Sequence, residues 1–411
     1  TLKDASATAV YGVRGANGVI IIKTKPGKIG KPTISADYYE SFTRFTKMVD
    51  LTDGVSYMKA ANEALRNDGL ATKFTDSQIQ NTILGKDQYL YPNVDWLNEI
   101  FNDWGHNRRV NVNVRGGSEK VSYYASVSYF NETGMTVTDK SINTFDSKMK
   151  YSRYNFTTNL SIDVTPTTKV EIGAQGYLGE GNYPAISSKD LYNAAMSISP
   201  VEYPKMFFIN GEAYIPGRST NNNFNNPYSQ ATRRGYDNLT KNQIYSNLRI
   251  TQDLDMLTKG LKLTAMYAFD VYNEIHVHQD RAESTYYFLD TNVPYDLDGQ
   301  PILQRIYTGT NVLSYKQETS GNKKTYLEAL NYDRAFGDHR VSGLFLFNQQ
   351  QKLLYPKGTL EDAIPYRMMG IAGRATYSWK DRYFAEFNIG YNGAENFSPK
   401  NRYGTFPAYG V

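Results

Sequence analysis

Glu274, His276, His278 and Asp280 form the densest cluster of chemistry-bearing side chains in the sequence. In an extended strand all four share one face, with Ile275 and Val277 on the other. Two imidazoles and two carboxylates could ligate a transition metal. The register set by Tyr267, Phe269 and Val271 equally makes them the polar, water-facing side of a wall, and that reading is preferred because polar residues belong there in any case. Gly12, Gly15 and Gly18 suggest a phosphate loop, but a dinucleotide fingerprint needs a strand before the glycines and a helix after them. Here the strand-like run 19–24 follows, so turn and packing roles fit better. Asp296, Asp298 and Gly299 lack completed calcium-loop spacing and read as a turn. His106 and His339 stand alone near strand ends. No Ser-His-Asp set has a recognisable context. Cysteine is absent, which removes thiol nucleophiles, thiolate zinc sites and disulfides together. The chain therefore reads as a non-enzyme with no catalytic residue, no metal ligand and no cofactor assigned. Tyr57, Trp96 and Trp104 could stack on sugar rings, although interface anchoring or loop packing explains them as well.

The elements that would position such residues are strands. The net charge of +4 over 411 residues is small and Lys/Arg are scattered, so nucleic acid is not an expected partner. Mean hydropathy is −0.56, and no run approaches the roughly 18 apolar residues of a membrane helix. A transmembrane barrel also averages out as polar, because lipid-facing and lumen-facing residues alternate. Tyrosine, with 35 residues against 3 Trp, suits the aromatic girdles of such a barrel.

Val110, Val112 and Val114 alternate with Asn111, Asn113 and Arg115, and after a Gly116-Gly117 turn Val121, Tyr123, Ala125, Val127 and Tyr129 continue the pattern. Period two around a short Gly-containing turn is a hairpin. The same pattern predicts strands at 33–45, 107–117, 120–134, 147–164, 168–181, 237–254, 260–278, 321–336, 339–352, 366–379 and 381–393, about eleven in all. Short turns near Gly117, Pro166, Lys259, Gly337 and Lys380 alternate with long connections at 46–106, 135–146, 182–236, 279–320, 353–365 and from 394 onward. Short turns at one end and long loops at the other are the plan of outer-membrane barrels. Asp53 is placed to cap a helix in the first long loop.

The run Leu2-Lys3-Asp4-Ala5-Ser6-Ala7 with Tyr11, Gly12, Arg14, Gly15, Asn17 and Gly18 resembles the end of the plug domain in SusC/RagA-type TonB-linked outer-membrane proteins. Gly116-Gly117-Ser118-Glu119-Lys120, Phe130-Asn131-Glu132-Thr133-Gly134, and Ala394-Glu395-Asn396-Phe397 with Arg402-Tyr403-Gly404 are similar to barrel sequence of the same family. Val13 and Lys23 are small departures. The resemblance implies an all-β protein: a transmembrane antiparallel β-barrel, of which this chain carries the first half, about eleven of about 22 strands. The C-terminal end of a plug would occupy 1–30 and the N-terminal half of the barrel 31–411. A chain beginning at Thr1 and lacking a signal peptide is then expected to be processed or an internal fragment.

The resemblance further implies an outer-membrane transporter of Bacteroidota that imports oligosaccharides or peptides. Its implied partners are outer-membrane lipids, a SusD-like lipoprotein lid, and TonB, the last through a segment missing from this chain. A siderophore- or cobalamin-type receptor is the alternative within the class. A non-transporting surface adhesin or carbohydrate-active enzyme is the alternative outside it, and neither of those has a use for a plug run.

Overall fold

A computed structural model describes residues 20, 26–140, 145–220, 226–354 and 364–411, the side chains of 311–328 and 354 excepted. The plug-like residues Leu2 to Gly18 lie outside the described residues. The strands in chain order are β1 (Gly30–Thr43), β2 (Gly105–Gly117), β3 (Val121–Thr133), β4 (Lys150–Thr165), β5 (Thr168–Pro184), β6 (Phe207–Ile209), β7 (Glu212–Pro216) and β8 (Gly235–Asp253). They continue as β9 (Leu261–Ala282), β10 (Thr285–Phe288), β11 (Leu303–Tyr307), β12 (Thr310–Phe336), β13 (His339–Leu354), β14 (Tyr366–Trp379), β15 (Tyr383–Ala394) and β16 (Tyr403–Gly410).

Twelve of these form one sheet in the order β1-β2-β3-β4-β5-β8-β9-β12-β13-β14-β15-β16, each hydrogen-bonded to its sequence neighbour in the sheet. Every pairing in it is antiparallel. All the short turns fall at one end and all the long connections at the other, as the alternation predicts. Two expectations need correction. The stretch from 394 onward is not all loop, because β16 pairs with β15 and adds a strand to the anticipated eleven. β9 and β12 also outrun their predicted ends and stay paired from Thr310↔Ala282 to Tyr332↔Leu261.

Alternation puts two chemistries on the two faces. Val112, Val127 and Phe156 lie side by side across three strands, and all three are exposed. Leu248 and Tyr267 continue this apolar band across β8 and β9, and Ile371 with Tyr391 does so across β14 and β15. Near the short turns the rings of Trp379 and Tyr383 stack at 5.6 Å, with His339 beside Trp379 at 6.5 Å. Such a belt suits a membrane interface. The opposite face is polar and cross-linked by side chains: Asn111 Nδ2 donates to Asp37 at 2.9 Å, and Asn155 Nδ2 to Ser128 at 3.1 Å. No helix among the described residues is long and apolar enough to cross a membrane.

The main hydrophobic core lies in the long connections rather than between layers of sheet. Trp96, Leu97 and Ile100 from the first, Leu191, Tyr203, Ile215 and Tyr228 from the third, and the flanking Val137 and Tyr287 from the second and fourth pack into one cluster. Helices Gly54–Asn67, Asp76–Ile83 and Trp96–Ile100 belong to the first connection, and Ser188–Ser197 and Pro227–Thr232 to the third. The small sheet β11-β10-β7-β6 ties the third and fourth connections together.

Candidate functional site

The polar face of β8 and β9 near the long connections carries the sequence cluster. Glu274 sits opposite Lys241, and His278 opposite Asp237. Lys241 Nζ lies 3.2 Å from Glu274 Oε1, and His276 Nε2 meets the same oxygen at 2.7 Å. Tyr272 donates its hydroxyl to the other Glu274 oxygen. The Nδ1 of His276 is 3.5 Å from Asp237. Arg234 holds Asp280 at 3.0 Å, and Glu283 is clasped by Arg233 and Arg281, each at 2.8 Å.

The cluster is thus one stretch of a charge ladder climbing the polar face. The sequence shows only half of it, because Arg233, Arg234, Asp237 and Lys241 come from β8 or just before it and meet β9 through register alone. Among the described residues no three His, Asp or Glu side chains are arranged to hold a metal ion. What the ladder offers is a row of fixed donors and acceptors facing water.

The aromatic candidates separate. Trp96 is 1% exposed, its indole N–H donating to the Ser199 carbonyl at 3.2 Å and its ring packed edge-on against Tyr203 at 5.9 Å. A ring so enclosed stacks on core neighbours, not on a sugar. Tyr57 is half-buried in the helix Gly54–Asn67 and lines a cleft of about 400 Å³ with Asp53, Asn93 and Asp95. Asp53 caps that helix by accepting from the amides of Val55 and Ser56 at 2.8 and 3.0 Å. The hydroxyl and amide of Ser56 hold its carboxyl below the ordinary range. Trp104 is exposed just before β2, with the Arg44 guanidinium 5.5 Å from its ring centre.

Of the other features singled out in the sequence, His106 is not isolated: its Nε2 bonds Glu40 and its ring lies 5.2 Å from Phe42. The 296–299 segment is a turn, in which Asp296 accepts from the amides of Asp298 and Gln300 at 3.0 and 2.7 Å.

Phenolic hydrogen bonds tie the long connections to one another. Tyr228 donates to Asp139 at 2.8 Å, and Tyr295 donates to Asp87 at 2.5 Å. Burial first, then the neighbouring carboxylate, pushes both phenols well above the usual tyrosine range. Tyr203 is raised by burial and by Glu202.

No protein-family model matches the chain. It is 24% identical to TonB-dependent receptor P3 of Formosa agariphila over 99% of its length and 38% of the relative's. To TonB-dependent receptor SusC of Bacteroides thetaiotaomicron it is 26% identical, over 99% of its own length and 39% of the relative's. The chain thus spans less than half of the curated relatives it matches. Among solved structures, the RagAB peptide importer in its closed-closed state superposes with a TM-score of 0.68 at 18% identity, covering 99% of this chain and 47% of the other. Alternating strands, one-sided long loops and end-to-end similarity converge: along nearly its whole length the chain is similar to TonB-dependent receptors, SusC among them, and it shares the fold seen in the RagAB importer.

Proposed function

We propose that this chain is part of the wall of an outer-membrane importer driven by TonB. The observation that carries the reading is the two-faced antiparallel meander with all its long connections at one end. Strands satisfy every backbone hydrogen bond inside lipid only when they close into a barrel, and among the described residues β1 and β16 are each paired on one side alone. Further strands of the parent protein would pair with both edges and complete the barrel. Residues 1–30 would supply the end of a plug inside it.

The cargo is a nutrient too large for passive diffusion, an oligosaccharide or a short peptide. A SusD-like lipoprotein would cover the long-loop end, where the four connections form a consolidated platform. Tyr57 and Trp104, the sequence-selected aromatics with accessible surface, are proposed as cargo contacts on that platform. TonB would act on the plug from the opposite side.

The test is uptake. Cells lacking the gene are expected to lose accumulation of one class of labelled oligosaccharide or peptide, and cells lacking TonB to lose the same class. Uptake unchanged in both strains would overturn the reading.

A further inference from the structure

Where β9 leaves the wall, the chain builds a second cleft, of about 360 Å³, lined by residues the sequence does not single out. Two of its walls are Tyr214 on β7 and Tyr286 on β10, whose rings stand perpendicular with centres 5.1 Å apart. Tyr214 donates its hydroxyl to Glu212 at 2.9 Å, which aims that carboxylate along the same wall. The floor is Glu283, whose side chain is 11% exposed and is held between Arg233 and Arg281. Arg281 lines the cleft as well, and its guanidinium carries five N–H donors in all, more than the bond to Glu283 uses. The last side is Gly309, whose amide donates to Ser284 Oγ at 3.0 Å. A Cβ there would lie 2.2 Å from the Ala282 carbonyl oxygen and 2.5 Å from the Ser284 nitrogen. The corner is therefore fixed at its hinge by a residue that has to be glycine.

The chemistry narrows the occupant. Of the two lining carboxylates, Glu212 and Glu283, one is offset by Arg281 in the lining and the other by Arg233 beside the cleft, so the site offers no net charge to an ion. It does offer a strong donor, a strong acceptor and two ring surfaces within one small volume. An added peptide strand needs a free sheet edge. β7 is flanked by β6 and β10, and β10 by β7 and β11, so neither tyrosine-bearing strand has one. A ligand that presents C–H surface to an aromatic ring and hydroxyls that both donate and accept meets every requirement.

We propose that this corner is a subsite for a neutral sugar ring, stacked on the Tyr214–Tyr286 pair with its hydroxyls between the Glu212 carboxylate and the Arg281 guanidinium. The assignment deepens the import reading and rests on it only for the claim that the bound sugar is cargo.

The test uses the full-length receptor purified in detergent. Its probes are an array of neutral malto-, galacto-, xylo- and manno-oligosaccharides beside a panel of short peptides. A neutral oligosaccharide is expected to bind. Tyr286→Ala should weaken it about three- to tenfold, the scale of a lost aromatic contact, while Tyr286→Phe keeps it. Glu212→Ala, at an exposed position that leaves the fold intact, should weaken it too. Three results would each overturn the assignment: peptide binding alone, no oligosaccharide bound, or oligosaccharide binding unmoved by Glu212→Ala and Tyr286→Ala. Uptake that persists without TonB would instead remove the import reading and leave the sugar site standing.

Discussion

The indole N–H of Trp96 donates to the carbonyl of Ser199 across 3.2 Å, joining the first long connection to the third. Next to it the Val94 amide donates to the Pro200 carbonyl at 2.9 Å. These bonds fasten together loops that leave the sheet between different strand pairs. The long-loop end consequently behaves as a small domain with its own core, carried by a wall whose outward side chains have no core to enter.

Trp96→Ala is expected to loosen that domain selectively. Removing a fully buried tryptophan costs about 3–5 kcal/mol. Amide exchange should rise throughout 94–101, 186–220 and 226–231, while β2 and β3 keep their protection. Uniform loss of protection in both regions would show that loops and wall form one cooperative unit.

The outward row Val112, Val127 and Phe156 makes a claim about lipid. Val127→Arg should impair assembly of the full-length barrel, at about 2–4 kcal/mol for an arginine at the bilayer midplane. Thr157→Arg, beside Phe156 on the polar face and only half-buried, should assemble nearly normally. Folding yields into lipid vesicles would show the asymmetry, and equal defects would contradict the assignment of faces.

The raised phenols of Tyr203, Tyr228 and Tyr295 set an alkaline limit. Each ionises later in the folded state than in the unfolded chain, so its contribution is complete below about pH 10 and is lost as pH climbs through the folded value. The loop domain should therefore loosen above about pH 10, and a late tyrosinate absorbance step should accompany the loosening. Replacing all three by Phe should remove that step. An unshifted tyrosinate titration would argue against their burial.

The wall was legible in the sequence because period two survives in residues such as Val110 to Val114 and Tyr383 to Tyr391. It fades beyond Val277, where Gln279 and Arg281 make the second face polar as well, so the end of β9 at Ala282 is not apparent from the pattern. β16 was missed because Gly404, Pro407 and Gly410 interrupt its pattern. The cap at Asp53 was readable, being local. The loop core was not, because Trp96, Leu191, Tyr228 and Tyr287 come together only when four separated connections fold over one another. For the same reason Trp96 looked like a free aromatic, and the Tyr214–Tyr286 corner gave no signal at all.

In the parent protein these strands are expected to lie in a closed barrel in the outer membrane. The most direct measurement is fractionation of cells expressing the full-length protein, followed by gel mobility with and without heating. The protein is expected in the outer-membrane fraction, with a faster-migrating compact form that converts to the slower unfolded form on boiling. Recovery from the soluble periplasm with a mobility indifferent to heat would rule out a membrane barrel.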